Sequence, residues 1–313
     1  MHIFLTGATG LIGRRLVADR LARGDTLTVV SRDAGRAQAL GAGLDVVEAD
    51  LTRPGQWQKR VDGCDAVVHL AGAGVGDRRW NAAYRKLLVE SRVESTRLIV
   101  DAIDGARARP PILVNASAVG YYGSCGDTPL DESAPAGDDF LAGLSVQWEA
   151  QAARAGRGQT RVTMLRFAVV LDPRGAALGK MLPIFRLGLG GPLGSGRQYF
   201  PWIHWRDAIG LIGFALDNES VSGPLNVVAP EAVTNREFTR TLGRVLRRPA
   251  VLPVPAAILR IAIGEMGRFV VASQRVVAQR AIHAGYTFAF DRLQPALEDL
   301  LRSGTPRRGT LPP

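Results

Sequence analysis

Ile3-Phe4-Leu5-Thr6-Gly7-Ala8-Thr9-Gly10-Leu11-Ile12-Gly13 decides the fold of this 313-residue chain. An apolar run with the character of a buried strand leads into three glycines spaced three apart, and an amphipathic segment, Ile12–Ala22, follows. Each glycine answers a steric demand. Gly7 permits the tight turn, Gly10 lets backbone N–H groups approach a ligand, and Gly13 lets the helix pack on the strand. The helix N-terminus offers unpaired N–H donors and partial positive charge, so the loop is a receptor for an anion such as a dinucleotide pyrophosphate.

Outward from this loop, β-branched runs alternate with helical stretches. Ile3–Thr6, Leu27–Ser31, Asp45–Glu48, Ala66–Leu70, Ile112–Ala116 and Val162–Arg166 read as strands, with amphipathic segments such as Lys86–Ile103 between them. This alternation predicts an α/β Rossmann fold, a doubly wound parallel sheet of about seven strands. Glycine and proline crowd 175–201, and Ile203–Ala215 and Leu225–Val228 again read as sheet and helix. From Thr234 onward Thr234–Leu246, Ala256–Met266 and Leu293–Leu301 read as helices, Thr234 and Glu237 forming a capping box. The expected division is a dinucleotide-binding domain over 1–172 plus about 201–229, a smaller mixed C-terminal lobe over 173–200 and 230–302, and a frayed tail over 303–313.

Composition narrows the function classes. The formal charge is +10, almost all from arginine, since the only lysines are Lys59, Lys86 and Lys180. The arginines are scattered with no basic block, so neither nucleic acid nor a membrane is the expected partner. The apolar stretch from Val251 to Val271 is interrupted by Pro253, Pro255, Arg260, Glu265 and Arg268, so no run suits a bilayer. The chain opens on a strand rather than a signal sequence, and a cytoplasmic location is expected. Cys64 and Cys125 form no metal-binding pattern; they read as incidental thiols, and no metal site is expected. A small molecule is the expected partner. The oligomeric state is not fixed by the sequence, and a homodimer is carried as the expectation.

The end of the second strand decides between NAD and NADP, because an acid there binds the ribose hydroxyls and an arginine accepts a 2′-phosphate. Ser31 occupies the acid's place and Arg32 follows, which favours NADP(H); Asp33 is the competing feature.

The G-x-x-G-x-x-G spacing resembles the short-chain dehydrogenase/reductase superfamily in its extended, epimerase-like branch. Further stretches sharpen this: Arg79-Trp80, Ser91-Arg92, Ser117-Ala118-Val119-Gly120-Tyr121-Tyr122-Gly123, Trp148-Glu149, the glycine-rich run Leu187–Gln198, Trp202-Ile203-His204 and Gln274-Arg275-Val276. Together they resemble the epimerase-family sub-group, sometimes labelled cell-division-inhibitor-like, that carries a short C-terminal domain of unknown function. The resemblance implies an NADP(H)-binding oxidoreductase or epimerase-like protein. It implies cofactor contacts at Gly7, Thr9, Gly10, Leu11, Ile12 and Gly13, at Ser31 and Arg32, at Asp50-Leu51 on the adenine side, and at Leu70-Ala71-Gly72 along the middle. Arg92 and Val169 complete that set near the nicotinamide.

The superfamily's Tyr-x-x-x-Lys proton relay is missing. Anchored on Glu149, its two slots hold Leu141 and Ser145, and anchored on Tyr122-Gly123 the Ser/Thr slot holds Ala118, with Ser117 one residue before. Ser117, Tyr121 and Tyr122 are therefore the catalytic candidates, the tyrosines alternatively forming an aromatic wall or filling the core. Arg197 is a candidate clamp for an anionic substrate, as are Arg78, Arg79 and Lys86, and His204 is either a substrate contact or a structural histidine. Without the relay, a non-catalytic NADP(H)-binding sensor or regulator stands beside the enzyme reading.

Overall fold

The computed structural model describes residues 1–302. Its main sheet is built from β1 (His2–Thr6), β2 (Thr26–Ser31), β3 (Asp45–Glu48), β4 (Ala66–His69), β5 (Ile112–Ala118), β7 (Arg161–Phe167) and β10 (Gly223–Val227). All neighbours pair in parallel in the order β3-β2-β1-β4-β5-β7-β10. The six expected strands are present, their ends shifted by at most two residues. The strand order reverses between β1 and β4, and in such sheets the ligand crevice lies outside the carboxyl ends at that point.

Alternation along β1 shows why both faces are covered. Ile3 and Leu5 enter a core shared with the helices Leu11–Ala22 and Trp205–Asp217, while Phe4 enters a second core against Trp57 and the helix Ser95–Asp104. A sheet buried on both sides requires such continuous apolar strands.

Two short parallel pairs flank the sheet. β8 (Val169–Leu171) pairs with β9 (Trp202–His204), and β6 (Pro129–Leu130) with β11 (Arg275–Val276). A third core unites Leu178, Leu182 and Phe185 with Phe238 and Leu242 and with the helix Leu293–Arg302, so the 173–200 segment and the C-terminal region pack together. The capping box forms, with the Thr234 N–H donating to Glu237 at 2.7 Å.

Two expectations need correction. The single helix over Ala256–Met266 is broken into Ala256–Ile263 and Met266–Val270, because Gly264 adopts φ +65° and ends the first. The segment Lys86–Ile103 begins earlier, at Ala82, where the Asn81 side chain caps the Tyr84 N–H at 2.8 Å. It also carries a wide π-helical turn over Glu90–Glu94 before Ser95–Asp104. The tail expected to fray lies outside the described residues. Among the described residues no helix is long and apolar enough to cross a membrane.

Candidate functional site

The glycine loop is shaped as its spacing requires. Gly7 has φ +73°, and a Cβ there would lie 2.7 Å from the Leu70 carbonyl carbon. A Cβ on Gly13 would lie 2.2 Å from the Gly7 carbonyl oxygen, so any larger residue would push the helix off the strand. Gly10 forms the N-cap of the first helix with no side-chain cap and no acid in the first turn, leaving its positive end open to a ligand.

From this loop a groove of about 530 Å³ runs across the carboxyl ends of β1 to β4. Gly7, Thr9 and Gly10 line its middle, Ser31, Arg32 and Asp50-Leu51 one end, and Leu70, Ala71 and Gly72 the other side. Gly13 serves the close packing beneath, and Leu11 and Ile12 form the first helical turn beside it. Asp33 lines the groove, but its Oδ1 accepts the Arg36 N–H at 2.9 Å and caps the helix Ala34–Gln38. Arg36 lines the groove with Arg32. The Asp50 carboxyl is held below its ordinary range by the Thr52 backbone N–H at 3.0 Å.

A smaller cavity of about 160 Å³ adjoins the nicotinamide end implied by the family resemblance. Its walls are mostly apolar, with Val75, Leu144, Trp148 and Phe269; its polar groups are Arg92, Asp139, Ser145 and Gln274. Leu141, Ser145 and Ala118 all line it, so the three slots of the missing relay do converge there. Leu141 carries no proton, and the Ser145 hydroxyl is spent on the Leu141 carbonyl at 2.8 Å.

Arg92 stands on the π-helical turn. Ser91 Oγ accepts the Ala73 N–H at 3.1 Å, and Ser95 Oγ donates to the Ser91 carbonyl at 2.8 Å, which ties the widened turn to the loop after β4. The Arg92 guanidinium lies deep between Gly72 and the Trp148 ring, 5.2 Å from the ring centroid, while the residue keeps some surface on the cavity. Its one hydrogen bond among the described residues, to the Leu88 carbonyl, is long at 3.4 Å, and burial pulls the guanidinium down to about 10.

The proposed catalytic residues sit elsewhere. Successive strand residues face opposite ways, so with Ala118 on the cavity Ser117 points into the interior, donating to Glu149 Oε1 at 2.6 Å. Glu149 is gripped by Arg166 through two 2.8 Å bonds. Arg166 also donates to the Tyr122 hydroxyl at 2.9 Å, which in turn donates to Asn226 Oδ1 at 2.7 Å. Tyr122 is fully buried, and burial pushes its phenol up to about 12. Tyr121 lies flat against the Arg166 guanidinium at 3.5 Å and packs on the core around Tyr122, the core-filling alternative. Neither tyrosine lines the cavity or the groove.

Val169 lies in β8 and Arg197 is exposed on a loop; both are outside the lined spaces. His204 is buried, stacks on Phe290 at 3.9 Å and caps the next helix by accepting the Arg206 N–H. Burial, opposed by Asp299, pulls it down to about 4, so it is the structural histidine of the two readings. Arg78 lines the groove, whereas Lys86 pairs with Glu90 at 3.6 Å. Cys64 is buried and pushed up to about 11 by burial, and Cys125 is half-buried, both free thiols.

Sequence reading missed three site features. His69, at the end of β4, is buried between Thr6 Oγ1 at 2.6 Å and Ser95 Oγ at 3.1 Å, and burial drives it down to about 3, hence neutral. Asp139 lines the cavity while capping the helix Phe140–Ala153. Gln274 arrives from the C-terminal region; its stretch stood out as a motif, but nothing local pointed to the cavity.

Comparison with known proteins identifies the family. The model of the NAD dependent epimerase/dehydratase family matches residues 3–228, and that of a domain of unknown function, DUF1731, matches residues 254–300. The chain is 41% identical to bovine epimerase family protein SDR39U1 over 96% of its own length and 100% of the relative's. It is 39% identical to the chloroplastic SDR39U1 homologue of Arabidopsis thaliana, covering 96% of this chain and 87% of that one. The crystal structure of human epimerase family protein SDR39U1 (isoform 2) with NADPH superposes with a TM-score of 0.87 at 38% identity, covering 96% of this chain and 99% of the human one. The chain therefore belongs to the NAD-dependent epimerase/dehydratase family, among its members that carry the DUF1731 domain.

Proposed function

We propose that this chain binds NADP(H) along the groove and acts as an epimerase-type oxidoreductase on a small molecule held in the adjoining cavity. One observation carries the cofactor choice. Arg32 and Arg36 line the groove where a ribose 2′-phosphate would sit, while the Asp33 carboxylate is engaged as a helix cap. The human relative crystallised with NADPH supports the same reading. The glycine loop suits a pyrophosphate, since Gly10 leaves the positive end of the first helix without a side-chain cap and the loop lines the groove.

Bound NADPH supplies a hydride. The protein's part is to hold the pyrophosphate on the N–H groups of the first helix, fix the ribose end with arginine, and keep water from the cavity with Trp148, Leu144 and Phe269. A second reading rests on Leu141 and Ser145: with no proton relay in those slots, the chain is a non-catalytic NADP(H) sensor.

Cofactor affinity tests the first claim. Wild-type protein should bind NADPH far more tightly than NADH, and Arg32→Ala should weaken NADPH at least tenfold more than NADH. Equal losses would overturn the 2′-phosphate assignment. NADPH oxidation or epimer formation across a carbonyl and nucleotide-sugar panel separates the enzyme from the sensor; complete inertness favours the sensor.

A further inference from the structure

The region matched by the domain of unknown function reaches the cavity, and the manner of its arrival is specific. The segment before β11 is stitched to the loop after β5. Ser273 Oγ donates to the Gly126 carbonyl at 2.7 Å and its own carbonyl accepts the Cys125 N–H at 2.9 Å. The Gln274 amide nitrogen then donates to two carbonyls, Val119 at 2.9 Å and Gly123 at 2.8 Å. Two acceptors fix the amide orientation, because only the NH2 end can satisfy both. The side-chain oxygen of Gln274 is thus committed as an acceptor on a residue that lines the cavity, alongside Phe269 from the same region.

The cavity's cation is equally unsatisfied. Arg92 makes no ion pair with any carboxylate among the described residues, and its five N–H donors have one long protein acceptor. A guanidinium sunk beside Trp148 without an ion pair costs free energy that an arriving anion recovers. The volume of about 160 Å³ is near that of a cavity that takes one benzene, roughly 150 Å³. It is small for a nucleotide sugar.

Resting on the oxidoreductase reading above, we propose that the C-terminal domain forms the substrate wall of this cavity, and that Arg92 and Gln274 together select a compact 2-hydroxy or 2-oxo carboxylate. Arg92 takes the carboxylate; the side-chain oxygen of Gln274 accepts a hydrogen bond from a neighbouring hydroxyl, so it favours the hydroxy acid over the oxo acid.

The test uses the full chain loaded with NADPH, titrated calorimetrically with glycolate, lactate and pyruvate and with their neutral amides. The expected result is binding of the carboxylates at least tenfold tighter than their amides. Arg92→Gln should lower carboxylate affinity at least tenfold more than it lowers NADPH affinity. Gln274→Leu should weaken lactate several-fold while sparing pyruvate. NADPH affinity and thermal midpoint, measured on the same samples, show that the variants are folded. Wild-type protein that binds NADPH but not the carboxylates, or binds the amides equally, or prefers UDP-glucose, overturns the inference and leaves the cofactor reading standing. An Arg92→Gln loss as large for NADPH as for the carboxylates reassigns Arg92 to the cofactor and also overturns it. Failure of the wild type to bind NADPH overturns both.

Discussion

Two inward-facing arginines in this molecule could hardly differ more in their surroundings. Arg166, at the end of β7, is buried with two bonds to Glu149, one to the Tyr122 hydroxyl, one to the Glu132 carbonyl, and Tyr121 stacked on its face. These partners raise its basicity against the penalty of burial. Arg92, on the π-helical turn, has one long bond to a carbonyl and an aromatic ring 5.2 Å away. All three guanidinium nitrogens of the first are matched within the fold, so it organises structure. The second keeps unmatched donors beside a cavity, which is the mark of a group held ready for something that comes from outside.

That contrast orders the expected effects of substitution. Arg166→Met leaves the Glu149 charge buried and unpaired, and should destabilise the protein by about 3–5 kcal/mol in urea unfolding; a loss under about 1 kcal/mol would break the comparison. Tyr122→Phe removes one hydroxyl and leaves Asn226 and Arg166 each short of a partner, for an expected loss of about 1–3 kcal/mol with NADPH affinity little changed. A cofactor-binding defect without loss of stability would instead return Tyr122 to the site. Arg92→Met gives up a long bond and the cationic contact with the Trp148 ring and sheds a desolvation penalty, so unfolding should shift by less than about 1 kcal/mol, toward stabilisation. A large destabilisation there would show that the two arginines are alike after all.

The same contrast explains what was legible in the sequence. The glycine loop, the strands and the Thr234–Glu237 box were readable because each is specified by neighbours within a few residues. The absence of the proton relay was readable too, since Leu141 and Ser145 lie at fixed offsets from Glu149 on one helix. Ser117 was misplaced for want of one fact, which face of β5 points to the cavity, and strand alternation turns a one-residue uncertainty into opposite sides of the sheet. The π-helical turn left no signal, since Glu90-Ser91-Arg92-Val93-Glu94 contains no residue that breaks a helix. The Arg166 cluster and the Gln274 contact are tertiary; Gln274 reaches a carbonyl 155 positions away. Residue type alone carries no record of such meetings.

That separation has a consequence for how the molecule is made. Every residue lining the groove lies between Gly7 and Ser95, whereas the cavity wall is completed by Gln274. Synthesis from the N-terminus delivers the cofactor strip early and the part of the wall that holds Gln274 much later. The part that would choose the substrate is therefore laid down long after the groove, ahead of the helix Leu293–Arg302, and a chain stopped short of it would still contain every described residue of the groove.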